Sequence, residues 1–169
     1  MPEHDESQGP EGYRKEAVEA WIAEHIGVLT PPFEWTRLEG GHSNLTYRLD
    51  DPEGRSAVIR RPPRGELLPK AHDMSREWSL ISCLGPTPVP VPDALGFCED
   101  PEITGKWFYV MGLIDGRPLY TSAETEEWVP LENRPKLAHS FFDVLADLHD
   151  VDPDTVGLGT LGKKEGYVA

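Results

Sequence analysis

Cysteine is nearly missing. Cys83 and Cys98 are the only two, too few and too far apart for a Cys-x-x-Cys metal pattern or a disulfide framework, so free thiols in a reducing compartment are expected. Long apolar runs are missing too. Nothing in the chain is long enough to span a bilayer, and the acidic start Met1-Pro2-Glu3-His4-Asp5-Glu6 is the reverse of a signal peptide. A cytoplasmic location is the resulting expectation. Basic residues are scarce: sixteen Lys and Arg face thirty Asp and Glu, a formal charge of -14. That balance disfavours nucleic acid and anionic membranes as partners, because both reward a basic surface. Several chemistries lack their residues. There is no His-Glu-x-x-His, and Gly41-His42-Ser43-Asn44 lacks the glycine after serine that a nucleophile elbow needs. His149 has Asp147 and Asp150 nearby, but neighbouring helical positions point in different directions, so a surface histidine is expected there and no metal site.

What is present reads as a globular α+β chain. Hydrophobic residues make up 38% of it, enough for a core. Residues 1–12 are polar and expected to be a mobile acidic tail. Val18, Trp21, Ile22 and Ile26 recur at helical spacing over Tyr13–Ile26, with Gly27 as the stop. Strands are expected at Phe33–Gly40, Asn44–Leu49 and Arg55–Arg61, the last ended by Pro62-Pro63. A helix follows over Lys70–Leu84. The proline-rich 85–92 is an extended connector. Strands near Ala94–Cys98 and Lys106–Leu113 flank an acidic loop, Glu99-Asp100-Pro101-Glu102. Ile114-Asp115-Gly116-Arg117-Pro118 then breaks the pattern as a hinge would, and an apolar stripe of Leu137, Phe141, Val144, Leu145 and Leu148 marks a helix over Arg134–His149.

One tail motif misleads. Gly157-Leu158-Gly159-Thr160-Leu161-Gly162-Lys163-Lys164 has the Gly-x-Gly-x-x-Gly spacing and nearly fits a phosphate loop. Lys164 stands where a hydroxyl should, and no strand is expected before it, so it reads as a glycine-rich loop.

The charge is uneven in a way that matters. Between Arg55 and Arg76 lie six basic residues against Glu66 and Asp73, a local positive patch that suits a phosphate ligand or an ordinary solvated surface. Upstream, Gly40-Gly41-His42-Ser43-Asn44 is a small-residue turn whose backbone could approach phosphate, or a plain hairpin. Arg60 is expected at the end of its strand or on the face opposite Val58. Counted at about 100° per residue, Glu77 falls on the apolar stripe of Met74, Trp78, Ile81 and Leu84. A carboxylate carried into such a face needs a cation, and Arg60 is the natural candidate.

Gly-Gly-His-Ser-Asn-Leu-Thr-Tyr, Val-Ile-Arg-Arg-Pro-Pro, Leu-Leu-Pro-Lys-Ala-His-Asp-Met-Ser-Arg-Glu and Phe-Tyr-Val-Met-Gly-Leu-Ile-Asp-Gly-Arg occur in that order. Together they resemble the aminoglycoside phosphotransferase family, in the branch related to the kinase-like domains fused to acyl-CoA dehydrogenases. The resemblance implies a protein-kinase-like small lobe over 13–113, a five-stranded antiparallel sheet with one crossing helix. It also implies a hinge and the first helices of a truncated helical large lobe over 114–169. It further implies a nucleotide site: Gly40, Gly41, His42, Ser43 and Asn44 over the phosphates, and Arg60 on the α- and β-phosphates with Glu77 as its partner. Met111 would lie behind the adenine, with the carbonyl of Gly112 and the N–H of Ile114 on its edge, and Gly112 in place of a commoner acidic residue would loosen the hinge. Arginine at 60 replaces a commoner lysine, keeping charge and adding bidentate geometry.

The family's catalytic loop, His-Gly-Asp-x-x-x-x-Asn, occurs nowhere in the chain, so the resemblance assigns no catalytic or metal-binding residue here. ATP with Mg²⁺ is the implied cofactor, with the magnesium ligands in the missing part. Two readings stand. One is an ATP-dependent phosphotransferase acting on a small-molecule hydroxyl, represented by its amino-terminal part and inactive alone. The other is a non-catalytic nucleotide- or partner-binding module, self-associating or docking through Phe141, Val144 and Leu148.

Overall fold

A computed structural model describes residues 10–38, 44–65 and 73–162. They form two compact units: the described residues up to Ser79 with Pro92–Leu113, and Leu80–Val91 with the described residues from Ile114 onward.

The first unit opens with helix α1 (Lys15–His25) and carries strands β1 (Glu34–Arg37), β2 (Leu45–Asp50), β3 (Ser56–Arg61), β4 (Ala94–Cys98) and β5 (Phe108–Gly112). They make one antiparallel sheet in the order β1-β2-β3-β5-β4. The β2–β3 turn is set by Asp51. Its Oδ1 accepts the backbone N–H groups of Glu53 and Arg55, each at 2.9 Å, and Gly54 takes the positive φ of 81° that the bend requires. Burial of Asp51 opposes ionisation, but these donors, with Thr30 N–H and the Arg55 guanidinium, hold its carboxyl below the usual range.

Strand alternation gives the sheet two different faces. Leu45, Tyr47, Leu49, Ala57, Ile59, Phe108 and Val110 meet Tyr13, Val18, Ile22 and Ile26 in one core. The Tyr13 ring lies edge-on to Tyr47 and Phe108, and its hydroxyl donates to the carbonyl of Leu45 at 2.9 Å. Gly96, at the bulge in the β4–β5 pairing, lies against α1: a Cβ there would come within 2.9 Å of Ile26 Cδ1 and 3.1 Å of Trp21 Cη2.

The sequence expectations shift in four places. Tyr13 precedes α1 and serves the core directly. Helix α2 spans Met74–Leu84, and residues 70–72 of the expected span fall outside the described ones. The acidic loop after β4 contains a short helix, α3 (Pro101–Thr104), because Asp100 accepts from Glu102 N–H and Pro101 suits a first helical turn. Arg60 shares the face of Val58 instead of opposing it, since side chains two apart on a strand point the same way.

The second unit holds the proline connector, which is neither helix nor strand, then helices α4 (Ser122–Trp128) and α5 (Arg134–Asp150). Helix α4, unread in the sequence, begins with a reciprocal cap between Thr121 and Glu124. The glycine-rich stretch after Asp152 follows a helix and turns, with no strand before it, so it lacks the context of a phosphate loop.

Candidate nucleotide site

The second face of the sheet carries the candidate site. Val58 and Arg60 of β3 pair in register with Met111 and Tyr109 of β5, and Arg60 also stands opposite Thr46 of β2. Antiparallel partners share a face, so a cation, a phenol, an aliphatic and a thioether lie side by side there.

Helix α2 adds the acid. Asp73 caps its start, accepting from the N–H groups of Ser75 and Arg76 at 3.0 and 3.3 Å. Trp78 stacks on Phe97 of β4 with ring centroids 5.7 Å apart, which fixes the first turns of the helix over the sheet. Glu77 then reaches Arg60, with Oε2 3.2 Å from Nε. The same Oε2 accepts the Tyr109 hydroxyl at 2.8 Å, and Oε1 accepts the Asn44 amide at 3.2 Å. Both carboxylate oxygens are therefore occupied.

Two features set the electrostatics. The side chains of Arg60 and Glu77 are 34% and 32% exposed, so the pair sits at a rim and not deep in the apolar stripe on which sequence periodicity placed Glu77. The desolvation cost of the pair is correspondingly small. Burial, and then the Glu77 carboxylate, push the Tyr109 phenol well above its usual range, so it stays a donor at ordinary pH. Arg60 Nε is itself buried and within ion-pair distance of Glu77, yet it makes no hydrogen bond of good geometry.

The structure thus brings together Arg60, Glu77 and Asn44, with Met111 on the same sheet face. The side chain of Asn44 contacts Glu77; the sequence assigned it to the phosphate loop. Gly40, Gly41, His42 and Ser43 lie outside the described residues. Gly112 is pinned, not loosened: it pairs with Ala57, its N–H donates to the Asp93 carbonyl at 2.9 Å, and a Cβ would meet Asp93 Cβ at 3.3 Å. Ile114 belongs to the second unit and is 62% exposed. Tyr109 and Val58 went unread in the sequence. Tyr109 alternates visibly with buried Phe108 and Val110, but its place opposite Arg60 depends on a strand register that alternation alone does not give.

Residues 34–169, four-fifths of the chain, match the phosphotransferase enzyme family. The chain belongs to that family. Mouse acyl-CoA dehydrogenase family member 10 is 34% identical over 157 residues, which cover 91% of this phosphotransferase-family chain and 14% of the mouse protein. Human acyl-CoA dehydrogenase family member 11 is 30% identical over 169 residues, covering 99% and 21%. A crystal structure from Ralstonia eutropha JMP134, of a protein assigned to the aminoglycoside phosphotransferases, superposes with a TM-score of 0.74 at 29% identity, covering 89% of this chain and 42% of that one. The sheet, its crossing helix and the helices that follow are the kinase-like fold of this family. The chain spans about a fifth or less of the length of these dehydrogenase-family relatives. Among the described residues no helix is long and apolar enough to cross a membrane.

Proposed function

We propose that the second face of the sheet binds ATP, and that the chain supplies the small-lobe half of an ATP-dependent phosphotransferase acting on a hydroxyl of a small molecule. The Arg60–Glu77 pair, braced by Tyr109 and Asn44, carries this reading. Arginine has five N–H donors, and Glu77 faces the Nε of Arg60 at 3.2 Å. The guanidinium, about a third exposed, can meet phosphate oxygens bidentately. Val58 and Met111, paired beside it, offer an apolar floor for a purine base, with the backbone of Gly112 along its edge.

These residues fit the phosphates of ATP. When bound, magnesium would neutralise charge on the transferring phosphate. Among the described residues no group of three or more His, Cys, Asp or Glu converges on one point, and the catalytic loop is absent from the sequence. On this reading the chain's own residues bind and orient the nucleotide. Calorimetric titration with ATP, with and without Mg²⁺, tests the reading. Arg60→Ala is expected to weaken binding about tenfold, the worth of one charge-assisted contact at a half-exposed site. Equal affinity in the variant would remove Arg60 from the nucleotide site.

A second reading, a non-catalytic module that docks a protein partner or a second copy, draws on α5. Leu137, Phe141, Leu145 and Leu148 recur at three- and four-residue spacing and are 41%, 63%, 36% and 42% exposed, with Val144 half-buried beside them. An apolar stripe of this length on a helix marks an interaction surface. Sedimentation at rising concentration should show association that Phe141→Ser abolishes; a monomer throughout would count against self-association.

A further inference from the structure

Arg60 has a neighbour that serves the opposite face. Arg61 is 4% exposed. Its Nη1 donates to the carbonyls of Gly12 and, at 3.1 Å, of Thr104; its Nε donates to that of Pro62 at 3.1 Å. Among the described residues no carboxylate comes within ion-pair distance of it. Two more guanidiniums belong to the same hollow. Arg14 donates from Nε to the Ile103 carbonyl at 2.9 Å, and exposed Arg64 makes no hydrogen bond or ion pair among the described residues. Arg14, Arg61 and Arg64 line a cavity of about 360 Å³ with Tyr13, Glu102 and Gly105. Glu102 is the one carboxylate there among the described residues, and it lies within ion-pair distance of none of the three.

A buried cation next to two others is costly unless something neutralises them. Here burial first, and the like charge of Arg64 among the further causes, pull Arg61 below its ordinary value. Backbone carbonyls satisfy part of Arg61, but they carry no net charge. Among the described residues, three cations against one carboxylate leave an excess of two positive charges there, in a chain whose total is -14.

We infer that this cavity binds the phosphate group of a small phosphorylated molecule, on the face of the sheet away from the Arg60–Glu77 pair. A phosphate monoester carries nearly two negative charges near neutral pH, which matches the excess, and planar guanidinium forks suit its oxygens. The cavity is larger than the anion alone, leaving room for an organic body. The site stands independently of the nucleotide reading, because successive residues of β3 point to opposite faces.

The test is an NMR titration of the ¹⁵N-labelled chain with inorganic phosphate and, separately, glycerol 3-phosphate. The amides of Gly12, Arg14 and Gly105 are expected to shift. Arg64→Ala, at an exposed residue, should leave folding intact and weaken binding about tenfold; Arg14→Ala should act in the same direction. Arg60→Ala should leave the titration shifts of those three amides as they are, because its side chain serves the other face. Tighter binding of the ester would identify an organic phosphate as occupant, and equal binding free phosphate; both sustain the site. Absent shifts at those amides, unchanged affinity in Arg64→Ala and Arg14→Ala, or a loss that follows Arg60→Ala would each overturn it.

Discussion

Glu77→Ala should lower the stability of the first unit by about 2 kcal/mol, read as a shift in the urea midpoint. The substitution takes away both oxygens that hold the site together. Tyr109, buried to 3% exposure, loses the acceptor 2.8 Å from its hydroxyl. Asn44 loses its contact at 3.2 Å. The buried Nε of Arg60 is left without a counter-charge, and breaking one side of an ion pair costs more than the pair contributes. Because both side chains are about a third exposed, water offsets part of the loss, which keeps the figure below that of a fully buried pair. Tyr109→Phe removes one donor and leaves the charges matched, so a loss of about 1 kcal/mol is expected from it. If Glu77→Ala proved no more costly than Tyr109→Phe, the carboxylate would not be the hub of this cluster.

Phe108→Ala carries the largest expected penalty, about 4 kcal/mol. Its ring is fully buried and lies edge-on to Trp21 at 5.1 Å and to Tyr13 at 6.5 Å between centroids. Those partners come from α1 and from the segment before it, which cannot close over the gap without giving up their own contacts with Tyr47 and His25. Phe142 is the matched control. It is 64% exposed on α5, and Phe142→Ala should stay within about 0.5 kcal/mol of the parent. Equal effects from the two would mean that the core between sheet and α1 is not where the unit's stability resides.

Much of this arrangement was legible in the residues, and the gaps have physical causes. Period-two alternation located all five strands to within a few residues, since a half-buried sheet imposes that pattern. The Arg60–Glu77 pairing followed from the unfavourable energy of an unpartnered acid on an apolar stripe. The stripe itself misjudged the depth: helical periodicity gives direction around an axis, but not how far the helix lies from the sheet. Tyr109 escaped notice because its partner is fixed by register between β3 and β5, strands separated by α2 and β4. Helix α3 was hidden by its length, four residues that after the acidic Glu99 and Asp100 read equally well as a loop until Asp100 is seen to cap it. The role of Arg61 depended on Gly12, whose φ of 85° brings its carbonyl to the guanidinium.

Adjacent arginines with opposite destinations make β3 intolerant of length changes. One residue inserted or deleted between Arg55 and Arg60 would exchange the two side chains, delivering Arg60 to the α1 core and Arg61 to Glu77. Both would still be arginines, so composition would look untouched while each cation faced the wrong company. The number of residues between the bend closed by Asp51 and Arg60 therefore decides which face of the sheet each cation serves.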